Sequence, residues 1–397
     1  MAELGASAPL VNITKLRPPC FEENASVNQH LKENKVFTRK NDENRLIRYQ
    51  MQSVAKHILP KHRVGICLRH QIDAYGDVDL YQHKKTQKAF YGGLMVCGSV
   101  WVCPVCAAKI SERRRTELKK AFKQHLDAGG YCSMVTLTFS HSKSDKLDDL
   151  LFALSKAMQT FRRGKRFDRF RLDIGLIGSI RAFEITYGSN GWHPHIHLLL
   201  MHTNEIAPYE RYDYQDWLYS MWSGACAKYG LDTSMAHGLK LDDAQEASTY
   251  IGKWGDLMDK PWGTDSEMTK ANIKKGRIGS MTPFDMLRVI VEDGDLEYEY
   301  KFKEYASAVK GRSQLFWSRG LKARFDLEDK TDEEIAVEKV EEADLLGRLD
   351  YKEWRYILKN NLRVKLLDLI EREGYDNAYK ILDIKKAHNN QRALPFG

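Results

Sequence analysis

Ile180-Arg181-Ala182-Phe183-Glu184-Ile185-Thr186-Tyr187, then Gly188-Ser189-Asn190-Gly191, then Trp192-His193-Pro194-His195-Ile196-His197-Leu198-Leu199-Leu200-Met201, reads as two β-strands joined by a tight turn. Side chains alternate along a strand, so His193, His195 and His197 share one face while Ile196 and Leu198 point into a core. A turn centred between Ser189 and Asn190 sets Glu184 opposite His195 and Ala182 opposite His197. Opposed side chains lie about 5 Å apart at Cβ, so a carboxylate meets two imidazoles and a small residue leaves them room. His195, His197 and Glu184 form a nitrogen-and-oxygen ligand set without a thiolate. That set suits Mg²⁺ or Mn²⁺ working on phosphate better than structural zinc. His193 falls at its flank.

The segments around the hairpin continue the pattern. Tyr131 to Phe139, rich in β-branched and aromatic residues, reads as a strand. Leu147, Leu150, Leu151, Leu154, Met158 and Phe161 recur at helical spacing. That helix is expected to end in Arg162, Arg163, Lys165 and Arg166, cations that suit a helix C-terminus and can also lie along a phosphate backbone. A helix from Asp216 toward Tyr229 and a short strand at Leu239-Lys240-Leu241 come next. A last helix is bounded by an Asp242 or Asp243 N-cap and Gly255. The order β-α-β-β-α-β-α predicts an α+β fold: one central antiparallel sheet of split βαβ type with helices on it. On the last helix Glu246, Tyr250 and Lys253 fall at i, i+4 and i+7, one stripe carrying a carboxylate, a phenol and an ammonium.

Seven cysteines is an odd number, and their spacing favours metal ligation over disulfides. Cys97, Cys103 and Cys106 fall within ten residues. Cys67 lies upstream, so these four can close a tetrahedral Zn²⁺ site, with His70 as the rival fourth ligand. Cys132 and Cys226 sit in apolar stretches and read as core residues. The chain has 397 residues, enough for two or three domains. Its net charge of +8 suits an anionic partner. No apolar run approaches the roughly 18 residues that span a bilayer, and residues 1–5 have no basic start or apolar h-region, so a cytoplasmic protein is expected. By composition, residues 1–60 are a polar leader, 61–125 a Cys-rich zinc-binding region running into the basic Arg113-Arg114-Arg115 helix, and 126–260 the unit with the histidine hairpin. Residues 261–397 are expected to be mostly helical, the acidic stretch from Glu328 to Asp350 included.

Three ordered motifs, Val135 to Phe139, Gly191 to His197 and Glu246 to Lys253, together resemble the rolling-circle replication initiator (Rep) proteins of plasmids, within the HUH endonuclease superfamily. The cysteine block, Tyr305 to Arg312 and Trp317 to Lys322 also look like that group, so the resemblance covers roughly 65–322. It implies an HUH nuclease domain with a ferredoxin-like or RRM-like sheet over 126–260. It also implies that Tyr250 attacks a phosphodiester of single-stranded origin DNA, giving a 5′-phosphotyrosine link and a 3′-OH primer. Related phage initiators carry a second tyrosine where this chain has Glu246. A carboxylate there implies termination by activated water. Lys253 would neutralise the phosphate or orient the tyrosine, and a host helicase and DNA polymerase are implied partners. The alternating histidines also fit histidine-triad nucleotide hydrolases, which leave Glu246, Tyr250 and the cysteines unexplained. A related HUH transposase or relaxase, or a non-catalytic zinc DNA-binding protein, would also carry parts of this pattern. The long C-terminal region and Glu246 favour a Rep protein.

Overall fold

The computed structural model describes residues 40–244, 280–338, 342–385 and 387, which build two antiparallel sheets packed with helices. The first elements are α1 (Lys40–Ile58), β1 (Val78–His83), β2 (Ala89–Gly92) and α2 (Pro104–Asp127). Next come β3 (Tyr131–Leu137), α3 (Leu147–Phe161), α4 (Lys165–Asp173), β4 (Leu176–Gly188), β5 (Gly191–His202), α5 (Pro208–Ala227) and β6 (Leu239–Asp243). After residue 280 follow α6 (Pro283–Asp293), α7 (Glu297–Ala308), β7 (Leu315–Trp317), α8 (Leu321–Arg324), α9 (Asp332–Val337), β8 (Ala343–Leu349), α10 (Tyr351–Lys359), α11 (Arg363–Glu373) and α12 (Tyr375–Ile381). The helix expected to carry Glu246, Tyr250 and Lys253 lies outside the described residues.

The five-stranded sheet has the order β6-β3-β5-β4-β7, all neighbours antiparallel. Its two faces follow from strand alternation. On one, Phe183, Ile185, Ile196, Leu198 and Leu200 are buried with Leu151, Leu154 and Met158 of α3 and Leu218 and Trp222 of α5. Trp222 is fully buried and donates from Nε1 to the Thr138 carbonyl at 2.8 Å, tying α5 to the end of β3. On the other, Met134, Ala182, Leu199 and Met201 pack with Leu118, Ala121 and Phe122 of α2. Glu184, His195 and His197 continue this second face. Gly191 takes φ +89, and a Cβ there would stand 2.8 Å from Lys143 Cα and 2.9 Å from the Ser142 oxygen, so only glycine fits the end of the turn.

Several elements differ from the sequence reading. The helix breaks at Gly164, with φ +100, so Arg162 caps α3 while Lys165 begins α4 and Arg166 lies in its first turn. Within the residues read as a leader, α1 buries Met51, Val54, Ala55 and Ile58 on one stripe. The acidic stretch 328–350 holds a short helix, α9, and a strand, β8, in place of the expected helix. β8 pairs with β1 and buries Leu349, closing an edge that would otherwise be open. β1, β2 and β8 form the second sheet, whose buried side chains merge with Trp354, Ile357, Leu366, Leu367 and Ile370 of α10 and α11. β7, also from the C-terminal region, is the outer strand beside β4. Contacts thus cross the compositional boundaries near 60, 125 and 260. The Arg113-Arg114-Arg115 run is tied up in ion pairs, Arg113 with Glu117 and Glu328, Arg114 with Asp332 at 2.5 Å, and Arg115 with Glu112 at 2.5 Å.

Candidate functional site

The β4–β5 register sets Glu184 against His195 and Ala182 against His197, as the turn centre requires. Glu184 Oε2 lies 2.9 Å from His195 Nε2 and 3.2 Å from His197 Nε2. These side chains are between 11 and 17% exposed, dry enough for charge to matter and open enough for a ligand to reach. The other ring nitrogens also have partners. His195 Nδ1 faces the His193 carbonyl at 3.3 Å, and His197 Nδ1 faces Thr136 Oγ1 at 3.2 Å. A carbonyl only accepts, so Nδ1 of His195 donates to it, and a cation held here would take the lone pairs of both Nε2 atoms and of Glu184 Oε2. Three acceptors then converge, an arrangement that needs a proton or a cation between them. Cis donors around an octahedral ion at about 2.1 Å lie about 3.0 Å apart, which the observed spacing matches. Burial alone would raise the Glu184 carboxyl, but hydrogen bonds from His195 and His197 outweigh it and hold the group well below the usual carboxylate range.

Neighbouring rings extend the site. His193 stacks between His141 at 4.8 Å and His195 at 4.9 Å. Burial, then the adjacent His195 and His141, push His193 down to about 4, so it is neutral at physiological pH. His141, in the loop after β3, also meets the Asn190 carbonyl of the hairpin turn at 3.0 Å. Sequence reading missed His141, because only the fold of that loop brings it to the histidine strand. It also missed the part played by Thr136, although its place in a strand beside β5 was visible.

A second cluster brings Cys67, Cys97, Cys103 and Cys106 together, all buried. Sulfur separations are 3.5 Å for Cys67–Cys106, 3.6 Å for Cys67–Cys103 and 3.7 Å for Cys97–Cys106. Four thiolates about 2.3 Å from one zinc ion stand about 3.8 Å apart, so these sulfurs already approximate the tetrahedron. His70 is exposed and takes no part. Burial would raise the Cys103 thiol, but hydrogen bonds from Cys106, Cys67 and Cys97 take it well below its ordinary value. Buried Gln52 of α1 donates to the Cys67 carbonyl at 3.2 Å and to Cys103 Sγ at 3.6 Å, and itself accepts from Arg363 of α11 at 3.1 Å. Helices from both ends of the described chain thus brace the cysteines.

The basic residues expected along DNA separate. Arg163 is exposed, Arg166 lies over Trp217 and donates to Ser220 at 2.8 Å, and Arg162 turns into a cavity beside β4. Cys132 and Cys226 are buried core thiols. Glu246, Tyr250 and Lys253 lie outside the described residues.

Residues 94–365 match the sequence pattern of the family described as replication protein, more than half of the chain. The chain belongs to that family. The match takes in Cys97, Cys103, Cys106 and the whole histidine hairpin. This replication protein is similar to "Protein rep" of Streptomyces lividans, 29% identical over 59% of this chain and 65% of that protein. It is also similar to "Neomycin resistance protein" of Streptomyces cyanogenus, 35% identical over 28% of this chain and 31% of that protein. The chain therefore spans less than two thirds of the length of either relative. No solved structure matches it. No helix among the described residues is long and apolar enough to cross a membrane.

Proposed function

We propose that this replication protein is a plasmid rolling-circle initiator of the HUH type, nicking one strand of its origin with a tyrosine. The observation that carries the reading is the convergence of Glu184 Oε2, His195 Nε2 and His197 Nε2 on one point of the sheet, each imidazole oriented through its Nδ1. The strand order β6-β3-β5-β4 supports the split βαβ, ferredoxin-like sheet that such nucleases use.

In this reading Glu184, His195 and His197 hold Mg²⁺ or Mn²⁺. A divalent cation bound there polarises the scissile phosphodiester and stabilises charge on its oxygens. Thr136 and the His193 carbonyl hold the two imidazoles in their ligating tautomer. Tyr250 attacks phosphorus and gives its phenolic proton to solvent, the bond to the 3′-oxygen breaks, that oxygen takes up a proton from solvent, and the products are a 5′-phosphotyrosine and a free 3′-OH. The phosphotyrosine ester conserves the bond for later strand joining. Lys253 supplies positive charge to the phosphate. Glu246 acts as the base that lets water release the protein at termination. Cys67, Cys97, Cys103 and Cys106 hold a structural Zn²⁺. The 3′-OH serves a host polymerase, with a host helicase opening the duplex, and the work takes place in the cytoplasm.

The test is cleavage of labelled single-stranded origin DNA. Wild type with Mn²⁺ should cleave, and Tyr250→Phe, His195→Ala or added EDTA should abolish cleavage. Glu246→Ala should still nick but lose release by water. Cleavage by Tyr250→Phe, or in EDTA, would overturn the reading. Unchanged release by water in Glu246→Ala would remove that residue's role.

A further inference from the structure

Arg162, Arg181 and Arg312 line one cavity of about 360 Å³ between the end of α3, β4 and the turn after α7. Its other walls are Ser155, Met158, Gln159, Phe183, Gly311 and Ser313, so among the described residues no carboxylate lines it. The Arg181 guanidinium stands over the rings of Phe183 and Phe316, 4.9 and 5.3 Å from their centroids, and its Nε is buried without a hydrogen-bond partner. Arg312 is tethered by the Ala308 carbonyl at 2.9 Å and Ser155 Oγ at 3.2 Å, and its only acid among the described residues is the exposed Asp148, 3.5 Å away. Neither Arg162 nor Arg181 has an ion pair among the described residues.

Burial lowers the pKa of both Arg162 and Arg181, and the Arg162 charge lowers that of Arg181 further. Like charges gathered in a partly dry pocket repel one another, and each has lost hydration. Planar guanidinium forks held in place by aromatic rings and hydroxyls are suited to phosphate oxygens. A solvated basic surface would instead leave these side chains free in water.

The same turn, Gly311 to Ser313, also borders a larger open groove of about 1460 Å³ beside the cysteine block. Lys61, Lys303, Lys310 and Arg319 line this groove, and none of them has an ion pair among the described residues. Its acids are Asp329, Asp332 and Glu333, the first two paired with Lys322 and Arg114. Phe316, 48% exposed, offers a ring on its wall. A positively charged track with an aromatic platform is the pattern that fits a single nucleic-acid strand, backbone on the cations and a base on the ring.

We infer that the pocket of Arg162, Arg181 and Arg312 seats one backbone phosphate of a single DNA strand that continues along the groove over Phe316. Alternation along β4 puts Arg181 and Glu184 on opposite faces of the sheet, so this phosphate is distinct from the scissile one. The pocket therefore holds the strand away from the nick. The inference rests on the proposed DNA-handling function only for the source of the phosphate.

The experiment measures binding of a short fluorescein-labelled oligothymidine by anisotropy, in EDTA so that cleavage plays no part, from about 50 to about 300 mM NaCl. Each phosphate contact to a single strand contributes about 0.7 to the slope of log K against log salt. Arg162→Gln should weaken binding and reduce the slope by about that amount, and Arg162→Lys should restore most of it. Gln159→Glu removes no native contact but puts a carboxylate at the exposed rim, and should do the same as Arg162→Gln. Unchanged slopes in Arg162→Gln and Gln159→Glu, with melting temperatures held, would overturn the inference. So would inorganic phosphate stabilising wild type but not the variants while the slopes stay the same, because the pocket would then serve a free anion. Failure of the nicking reading appears separately, as cleavage that does not depend on Tyr250, and leaves these slopes untouched.

Discussion

Thr136→Val isolates one hydroxyl at the candidate metal site. The Thr136 oxygen stands 3.2 Å from His197 Nδ1, near the C-terminal end of β3 and paired across to His197 on β5. Valine has nearly the same shape and suits a strand, so the sheet should persist. What disappears is the acceptor for the Nδ1 proton of an imidazole only 16% exposed. Leaving such a donor unsatisfied costs about 1–3 kcal/mol. Loss of an outer partner to a metal-bound histidine typically weakens metal affinity by about 10–100-fold, which is about 1.4–2.7 kcal/mol. The two ranges overlap, so the dissociation constant for Mn²⁺ should rise by about one to two orders of magnitude. Mn²⁺ is the right probe because the thiolate cluster prefers softer ions. Calorimetric titration of protein freed of Mg²⁺ and Mn²⁺ with its zinc retained reads the change directly, and Thr136→Ser should restore most of the affinity. An unchanged Mn²⁺ affinity in Thr136→Val, with the melting temperature preserved, would refute the role given to His197 and its hydroxyl partner.

Elemental analysis should find one zinc per chain, and Cys103→Ser should lose it together with cooperative unfolding, since structural zinc contributes on the order of 10 kcal/mol to folding; retention of full zinc would exclude the four-cysteine site. Gly191→Ala should destabilise the protein by about 1–3 kcal/mol in urea unfolding, because φ +89 and the Lys143 backbone 2.8 Å away both oppose a Cβ; a neutral result would mean the hairpin turn is looser than described. Burial pushes the Cys132 and Cys226 thiols up to about 12. Because their pKa is raised, the thiol form persists through neutral pH and thiolate appears only as pH approaches that value. Alkylation of native protein at pH 8 should therefore spare both, and rapid modification mapped to either would contradict their burial.

The hairpin was legible because two period-two runs flank a turn of glycine and small polar residues, and the turn centre alone decides which residues face each other. Glu184 therefore meets the two imidazoles as a matter of arithmetic. α1 was hidden by the polar composition around it, although Met51, Val54, Ala55 and Ile58 carry the helical stripe. β8 was hidden by its acidic surroundings and by its partner, since pairing with β1 joins residues 260 or more positions apart and leaves no local signature. Whether Cys67 or His70 completes the cysteine cluster could not be read from spacing, and folding turns the cysteine inward and the histidine out. Alternation places Arg181 on the same face of β4 as Phe183 and Ile185. Only the fold, which brings the end of α3 and the turn after α7 beside it, makes it part of a pocket.

The most direct test of the central claim is to incubate the protein and Mn²⁺ with single-stranded DNA carrying its origin, digest the product and locate the covalent adduct by mass spectrometry. The account predicts a 5′-phosphonucleotide on Tyr250, absent in EDTA and absent from Glu184→Ala and His197→Ala. An adduct on another residue, or one that forms without metal, would contradict it.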